Sequence, residues 1–514
     1  MKELKQVIIK VYLAALLILV PLYYENGYFN TLQAKARSFW IVSGLVIACF
    51  VSIFIIEVLM REPIIKNAKA FFKSFNLMDI AVFAFGITAL VSGLFADDMA
   101  AAFSGSNGWY MGAWTLIAYM ISYFLISRNQ PYDKYFFVFV TIGATCLFAL
   151  GFLNGFDIDP LGLHTLLIEK EHFQYISTVG NINSYSGYLS LMLPFMAMAF
   201  TAEDRKWLKI WMGVVLIIGY ANLYFNNSDG AFIGTGFGLL FFIYYALKTR
   251  EYHTGILLNG IFFAMGTLIV KLCDLFYSAD HHTEFAGIGE VILDYWIFLA
   301  IGLICLVIIL LKRVLVRITS DKSDRIISLV FGVLAIALVA VVVIYNAMHF
   351  SGEWGTKRGW IWMIAIDMFK KMNPFHKLFG IGPDCFGILA SSSDYSSFIS
   401  QHWGKRVANA HNEFLEYLVT MGLLGAVSYV LLYLSAFKDY VKRVDWHPVK
   451  AILFFAIMGY MGQALVNNPQ AMNMAIFFMF LAVFRSFGIK EEEKEEVYTR
   501  AIDKRSKSKK KHRR

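Results

Sequence analysis

The side chains best suited to chemistry lie late in a 514-residue chain that is sparing with charge. His411 stands in Ala410-His411-Asn412. An imidazole with a pKa of about 6.5 is substantially neutral at working pH and can accept a proton. Upstream, Arg358 offers a guanidinium fork that matches phosphate oxygens two at a time. Lys357, Lys405 and Arg406 belong to the same stretch and add cationic reach. These residue types suit a general base beside an anion clamp.

Other chemistries are poorly served. No Gly-rich phosphate loop of the GxxxxGK[ST] or GxGxxG kind is present. The five cysteines, Cys49, Cys146, Cys273, Cys305 and Cys385, are scattered, form no CxxC pair and read as packing residues. Asp280, His281, His282 and Glu284 could suggest a metal, but adjacent histidines in a short loop seldom both ligate one ion, so no metal and no cofactor is expected.

The elements that must position these groups are membrane spans. Hydrophobic residues make up 58% of the chain, charged residues 16%, and mean hydropathy is +0.58. A soluble domain carries about 25% charge and about 45–50% apolar residues, so this is an all-α polytopic membrane protein. A spanning helix needs about 20 mostly apolar residues. About fourteen runs qualify: 6–23, 39–60, 77–95, 109–127, 135–153, 185–201, 207–225, 230–247, 255–276, 291–311, 326–348, 413–437, 450–467 and 471–488. With the N-terminus inside, every cytoplasmic connection holds at least two Lys or Arg. External connections such as 96–108, 226–229, 277–290 and 467–470 hold none, as the positive-inside rule requires. Most of the net charge of +9 is therefore an orientation signal, and no nucleic-acid partner is expected. Met1 to Tyr24 reads as an uncleaved first span, since Lys10 interrupts it and no small-residue cleavage site follows.

The organisation expected is a bundle over 1–348, a long extracytoplasmic loop over 349–411, further spanning helices over 412–488, and a basic cytoplasmic tail over 489–514 that lacks apolar periodicity. A connection of some 60 residues is too long to be only a connection. Within it, Trp360, Ile361, Ile364, Ala365, Met368 and Phe369 recur at helical spacing, giving an amphipathic helix that ends near Lys370 and Lys371. A break follows at Asn373-Pro374, then the turn Gly380-Ile381-Gly382-Pro383. His411 is expected in the first turn of the next helix, where the positive end of the helix dipole would lower its pKa.

Here the sequence resembles the bacterial O-antigen ligase and O-antigen polymerase superfamily. His411, Asn412, Leu415 and Gly422 stand where that family has its His, its polar neighbour, its Leu and its Gly. Arg358 to Trp362 matches the family's Arg-x-x-x-Trp, and the GIGP turn and GNINSYSGYLSLMLP at Gly180 to Pro194 look similar. One position departs: Asn227-Ser228-Asp229-Gly230 has Asp229 where family members usually carry Arg.

The resemblance implies transfer of a glycan from an undecaprenyl-diphosphate carrier to an acceptor sugar hydroxyl, on a glycan or a lipid acceptor, at the outer face of the cytoplasmic membrane. The implied roles are His411 as base and Arg358, Lys357, Lys405, Arg406, Asn412, Asn183 and Asp229 as substrate contacts. Asn181, Asn183 and Tyr185 could hydrogen-bond sugar hydroxyls. Plainer readings stand beside these. His411 could bind loop backbone, Arg358 could anchor to lipid headgroups, Asp229 could be a turn residue, and Lys271 and Asp274 could pair at the interface. A flippase or transporter, a protein O-oligosaccharyltransferase of the same superfamily and a scaffolding protein are the competing functions. A transporter would call for charge buried mid-span and for related halves, and no internal repeat is visible.

Overall fold

A computed structural model describes residues 1–61, 64–106, 108–129, 135–277, 285, 287–318, 321–402, 406–442 and 448–489. The tail expected over 489–514 falls outside the described residues beyond 489, as do Lys405 and the Asp280 to Glu284 cluster. The described chain is almost wholly helical, and each of the fourteen expected runs falls on a helix or a broken pair of helices. Nine of those helices are long and apolar enough to cross a membrane. Gly287–Asp294 and Ile297–Leu311 would make a tenth span, bent by 63°. The others are shorter or more polar, among them Ala113–Asn129, Ile182–Ala202 and Pro448–Ala464. The chain is a multi-pass membrane protein.

Burial separates the helices into a centre and a rim. Ala471–Ile489 is almost wholly buried among other helices, whereas Asp321–Met348, though strongly apolar, leaves most of its surface uncovered by protein, as suits a helix facing lipid. Ile182–Ala202, Asp229–Leu247 and Pro448–Ala464 pack together beside the central helix. Within a bilayer, close van der Waals packing replaces the hydrophobic drive, and small residues make it possible. A Cβ at Gly234 would collide with the Ser190 hydroxyl oxygen, and one at Gly459 with the Ser190 carbonyl oxygen. An alanine at either would force these helices apart.

The centre also holds a charge cluster. Asp79, fully buried, accepts from Arg485 Nε at 2.9 Å and from Tyr123 Oη at 2.9 Å, and lies 3.1 Å from Arg128. It also completes a reciprocal cap with Asn76 at the start of Leu77–Leu94. The last helix is thereby tied to two early ones.

The only strands among the described residues are Tyr175–Ile176 and Gly180–Asn181, paired antiparallel with Tyr175 opposite Asn181. This hairpin delivers the chain into Ile182–Ala202, where the Asn181 side chain accepts from the Asn183 N–H at 2.9 Å.

Candidate active site

The long loop is a small helical cap with its own core. Trp354–Lys371, Pro374–Phe379, Phe386–Ala390 and Ser393–His402 enclose Ile361, Ile364, Ala365, Met368, Phe386 and Ile399, joined by Val407, Ala410 and Val419. The apolar stripe that suggested an interfacial helix is thus buried against the cap.

Two glycines seat this cap on the bundle. The helix that follows His411 is broken between Glu413–Thr420 and Gly422–Lys442. The GIGP turn docks at that break: Gly382 N donates to Thr420 O at 3.0 Å and Ile381 N to Val419 O at 3.3 Å, while the Ser92 hydroxyl donates to Thr420 O at 2.8 Å. Gly380 (φ +79°) and Gly422 (φ +66°) adopt left-handed backbone there, and a Cβ on Gly380 would collide with the Thr420 carbonyl. Only glycine supplies both that conformation and that approach.

Asp384, next to the turn, also has left-handed backbone (φ +62°). Its Oδ2 accepts from Trp109 N at 2.6 Å and Met111 N at 2.9 Å, fastening a second loop to the cap. Burial pushes its carboxyl up to about 7, against those backbone donors.

His411 lies one residue outside the helix, since Asn412 is the N-cap and Glu413 the first helical residue. The expectation of a first-turn position is corrected accordingly. His411 itself has φ +48°, unusual for a residue with a side chain, and such strain persists only where neighbours fix it. Here they do: His411 N donates to Asn409 Oδ1 at 3.0 Å, Ala410 N donates to Glu416 Oε2 at 2.8 Å, and Asn412 accepts from Leu415 N at 3.0 Å while donating to Leu465 O at 2.8 Å. Burial lowers the His411 pKa to about 3, with the nearby Arg358 charge acting in the same direction. The dipole argument gave the right sign from the wrong cause.

Arg358 follows a left-handed turn formed by Gly355, Thr356 and Lys357, with φ of +59°, +56° and +71°. This turn redirects the chain so that Arg358 begins the regular part of its helix. The guanidinium is half-buried and makes no hydrogen bond or ion pair with any described residue. Burial works against its charge, and Asp229 opposes that effect across space. Asp229 opens Asp229–Leu247 and accepts from Ile288 N at 2.8 Å through Oδ1. Arg358, His411 and Asp229 are therefore brought together from three separate parts of the chain.

The remaining expected contacts fall elsewhere or are engaged. Exposed Lys357 donates to His402 O at 3.1 Å, Arg406 is exposed, and Asn412 spends both side-chain ends on the fold. Asn183 sits at the start of Ile182–Ala202, where its carbonyl accepts from Asn467 Nδ2 at 3.0 Å. A Cβ on Gly230, beside Asp229, would lie 3.7 Å from that same Asn467 nitrogen. Among the described residues no group of three or more His, Cys, Asp or Glu could hold a metal ion.

Sequence reasoning missed Glu416 and Asp384. Glu416 is 3% exposed and holds the residue before His411; a carboxylate inside an apolar segment was the signal that could have found it. Asp384 reads as an ordinary residue after a Pro turn, and nothing in the sequence pairs it with residues 109 to 111. Glu413, beside Glu416 on the same short helix, is held by the Tyr429 and Tyr460 hydroxyls.

No curated protein matches this chain significantly. Residues 295–430, which include Arg358, the GIGP turn, Asp384, His411 and Gly422, match the family model described as O-antigen ligase, which supports the resemblance of the motifs to the O-antigen ligase superfamily.

Proposed function

We propose that the protein transfers a glycan from an undecaprenyl-diphosphate carrier to the hydroxyl of an acceptor sugar, at the outer face of the cytoplasmic membrane with both termini inside. The observation that carries this reading is the meeting of a neutral histidine with a half-buried arginine that has no hydrogen-bond or ion-pair partner among the described residues. The acceptor oxygen bonds to the anomeric carbon as the bond from that carbon to the diphosphate oxygen breaks. The hydroxyl proton passes to His411, and the electron pair leaves with the diphosphate. A diphosphate is already a stable anion, so the leaving oxygen needs cationic stabilisation more than a proton, which suits Arg358. Low basicity in the resting state keeps the imidazole unprotonated until the hydroxyl arrives.

The position of Asp229 bears on the substrate. A carboxylate beside Arg358 would repel a diphosphate if both sat on the same side of the guanidinium. Asp229 spends Oδ1 on Ile288 N, which fits a role in orienting the clamp. Ligase, polymerase and protein glycosyltransferase differ only in the acceptor.

Replacing His411 by Ala in the producing cell tests the reading. The expected outcome is accumulation of lipid-linked glycan, loss of the surface polymer and an inserted protein at normal level. Unchanged polymer would remove His411 from the chemistry. Loss of polymer without outer-leaflet lipid-linked glycan would favour a flippase.

A further inference from the structure

Around the first turn of Ile182–Ala202 the fold gathers uncharged amides that the chemistry above does not use. Gln463, Asn467, Asn468, Gln470 and Asn473 come from one short stretch, Gln463 to Asn473, that contains no charged residue, and none is more than 3% exposed. Three contacts draw this stretch and its neighbours onto the turn. Asn467 Nδ2 donates to Asn183 O at 3.0 Å, Asn473 Nδ2 to Ser184 O at 2.7 Å, and Asn226 Nδ2 to Ser186 Oγ at 2.8 Å.

Much hydrogen-bonding capacity remains. Both ends of Asn468 and of Gln463, Gln470 Nε2, Asn473 Oδ1, Asn226 Oδ1 and Ser184 Oγ are buried and bonded to no described residue. A buried polar group without a partner is destabilising, and apolar residues of the same size would fill this space more cheaply. Such a concentration of unused donors and acceptors is characteristic of a binding surface. The stretch also borders the candidate active site: Asn412 Nδ2 donates to Leu465 O at 2.8 Å, and Asn467 lies against Gly230, next to Asp229.

We propose that Gln463 to Asn473, with Ser184 and Asn226, form a subsite for an uncharged sugar residue bearing hydroxyl or acetamido groups. Amides present donors and acceptors in equal measure and no net charge, which matches a neutral polyol and gives a carboxylate or phosphate no counter-charge. The amides are closed off in this structure, so an entering sugar parts Asn467 from Asn183 and replaces that bond. The proposal rests on the glycosyl-transfer reading, and either the donor or the acceptor sugar could occupy the site.

The test uses full-length protein in nanodiscs, with N,N′-diacetylchitobiose, cellobiose and digalacturonate as probes, and reads binding by saturation-transfer NMR. Running it also with His411→Ala separates sugar binding from turnover: a variant that binds neutral sugar and still transfers glycan at the wild-type rate would count against the transfer reading alone. Asn468→Leu and Gln463→Met remove amides with no described partner. Each is expected to weaken neutral disaccharide binding by about tenfold or more while leaving thermal stability equal or higher. In transfer assays both raise KM for the donor or for the acceptor, whichever occupies the site. Digalacturonate binding as well as the neutral sugars, no disaccharide binding at all, or variants that lose stability and keep binding would each overturn the subsite. If Asn468→Leu does not fold, Gln463→Met decides by the same criteria.

Discussion

A base is useful only in its unprotonated form, and His411 reaches that state by burial beside a guanidinium. Its lowered pKa, about 3 against an ordinary value of about 6.5, means the folded protein binds fewer protons than the unfolded chain across that interval. The contribution of this group to stability is complete above about 6.5 and declines as pH falls toward about 3. For catalysis the consequence is an acid limb displaced from the usual histidine position. We expect kcat/KM to stay level from about pH 8 down to about pH 5, where a free imidazole would already have cost most of the rate. Replacing Arg358 by Gln removes the cation that adds to the effect of burial on His411, so any residual acid limb moves up in pH. Arg358→Lys keeps the charge and loses the bidentate fork, and it should restore little of the activity lost in Arg358→Gln.

At the scale of elements, the cap is positioned by backbone meeting backbone at Gly380, Gly422 and Thr420. Gly380→Ala meets both a left-handed conformation and the Thr420 carbonyl, and should destabilise by more than about 1 kcal/mol, measured as a lowered melting temperature by intrinsic fluorescence. Asp384 makes the second fastening. Its pKa of about 7 lies above the usual value of about 3.9, so the fold binds the extra proton between those values. Its contribution is full below about pH 3.9 and is lost as pH rises through about 7. Both backbone bonds go to Oδ2, and an amide oxygen can accept them equally. Asp384→Asn should therefore fold and show less decline of melting temperature from about pH 4 to about pH 7 than wild type.

These elements differ in how far the sequence revealed them. The amphipathic stripe and the GIGP turn were legible as a local periodicity and a turn signal, and the His-Asn-x-x-Leu spacing through the family resemblance. What Gly422 is for was not, because its reason is a contact with Leu378 and Gly380, more than one element away. Of the seven basic residues from Lys357 to Arg406, the sequence singled out Arg358 by its guanidinium fork but did not show how the others are engaged. In the fold Lys371 pairs with Asp367 at 2.7 Å, Lys357 turns to His402, and Arg358 lies near His411.

Across the whole molecule, the membrane class and the fourteen apolar runs followed from composition and length alone. Two central features did not. The Asp79, Arg485 and Arg128 cluster joins residues about 400 positions apart, which no local pattern encodes. The small-residue packing around Gly234 and Gly459 depends on which helices are neighbours. Arg485→Ala strands Asp79 with a single guanidinium partner in the protein interior and should cost about 3–5 kcal/mol, seen as a lower melting temperature and faster proteolysis of purified protein. The last helix, which begins within the stretch carrying the amides, would be the first to loosen.

The central claim is that His411 and Arg358 act together on a diphosphate-linked glycan. Its most direct test is transfer by purified full-length protein in nanodiscs, using lipid-linked glycan extracted from the producing membrane. Mass spectrometry would count both the undecaprenyl diphosphate released and the acceptor glycosylated. The expected result is one carrier released per glycan joined by wild type, with His411→Ala lowering both by about 10²–10⁴-fold together. Wild-type rates from His411→Ala, or movement of intact lipid-linked glycan across the bilayer with no carrier released, would contradict it.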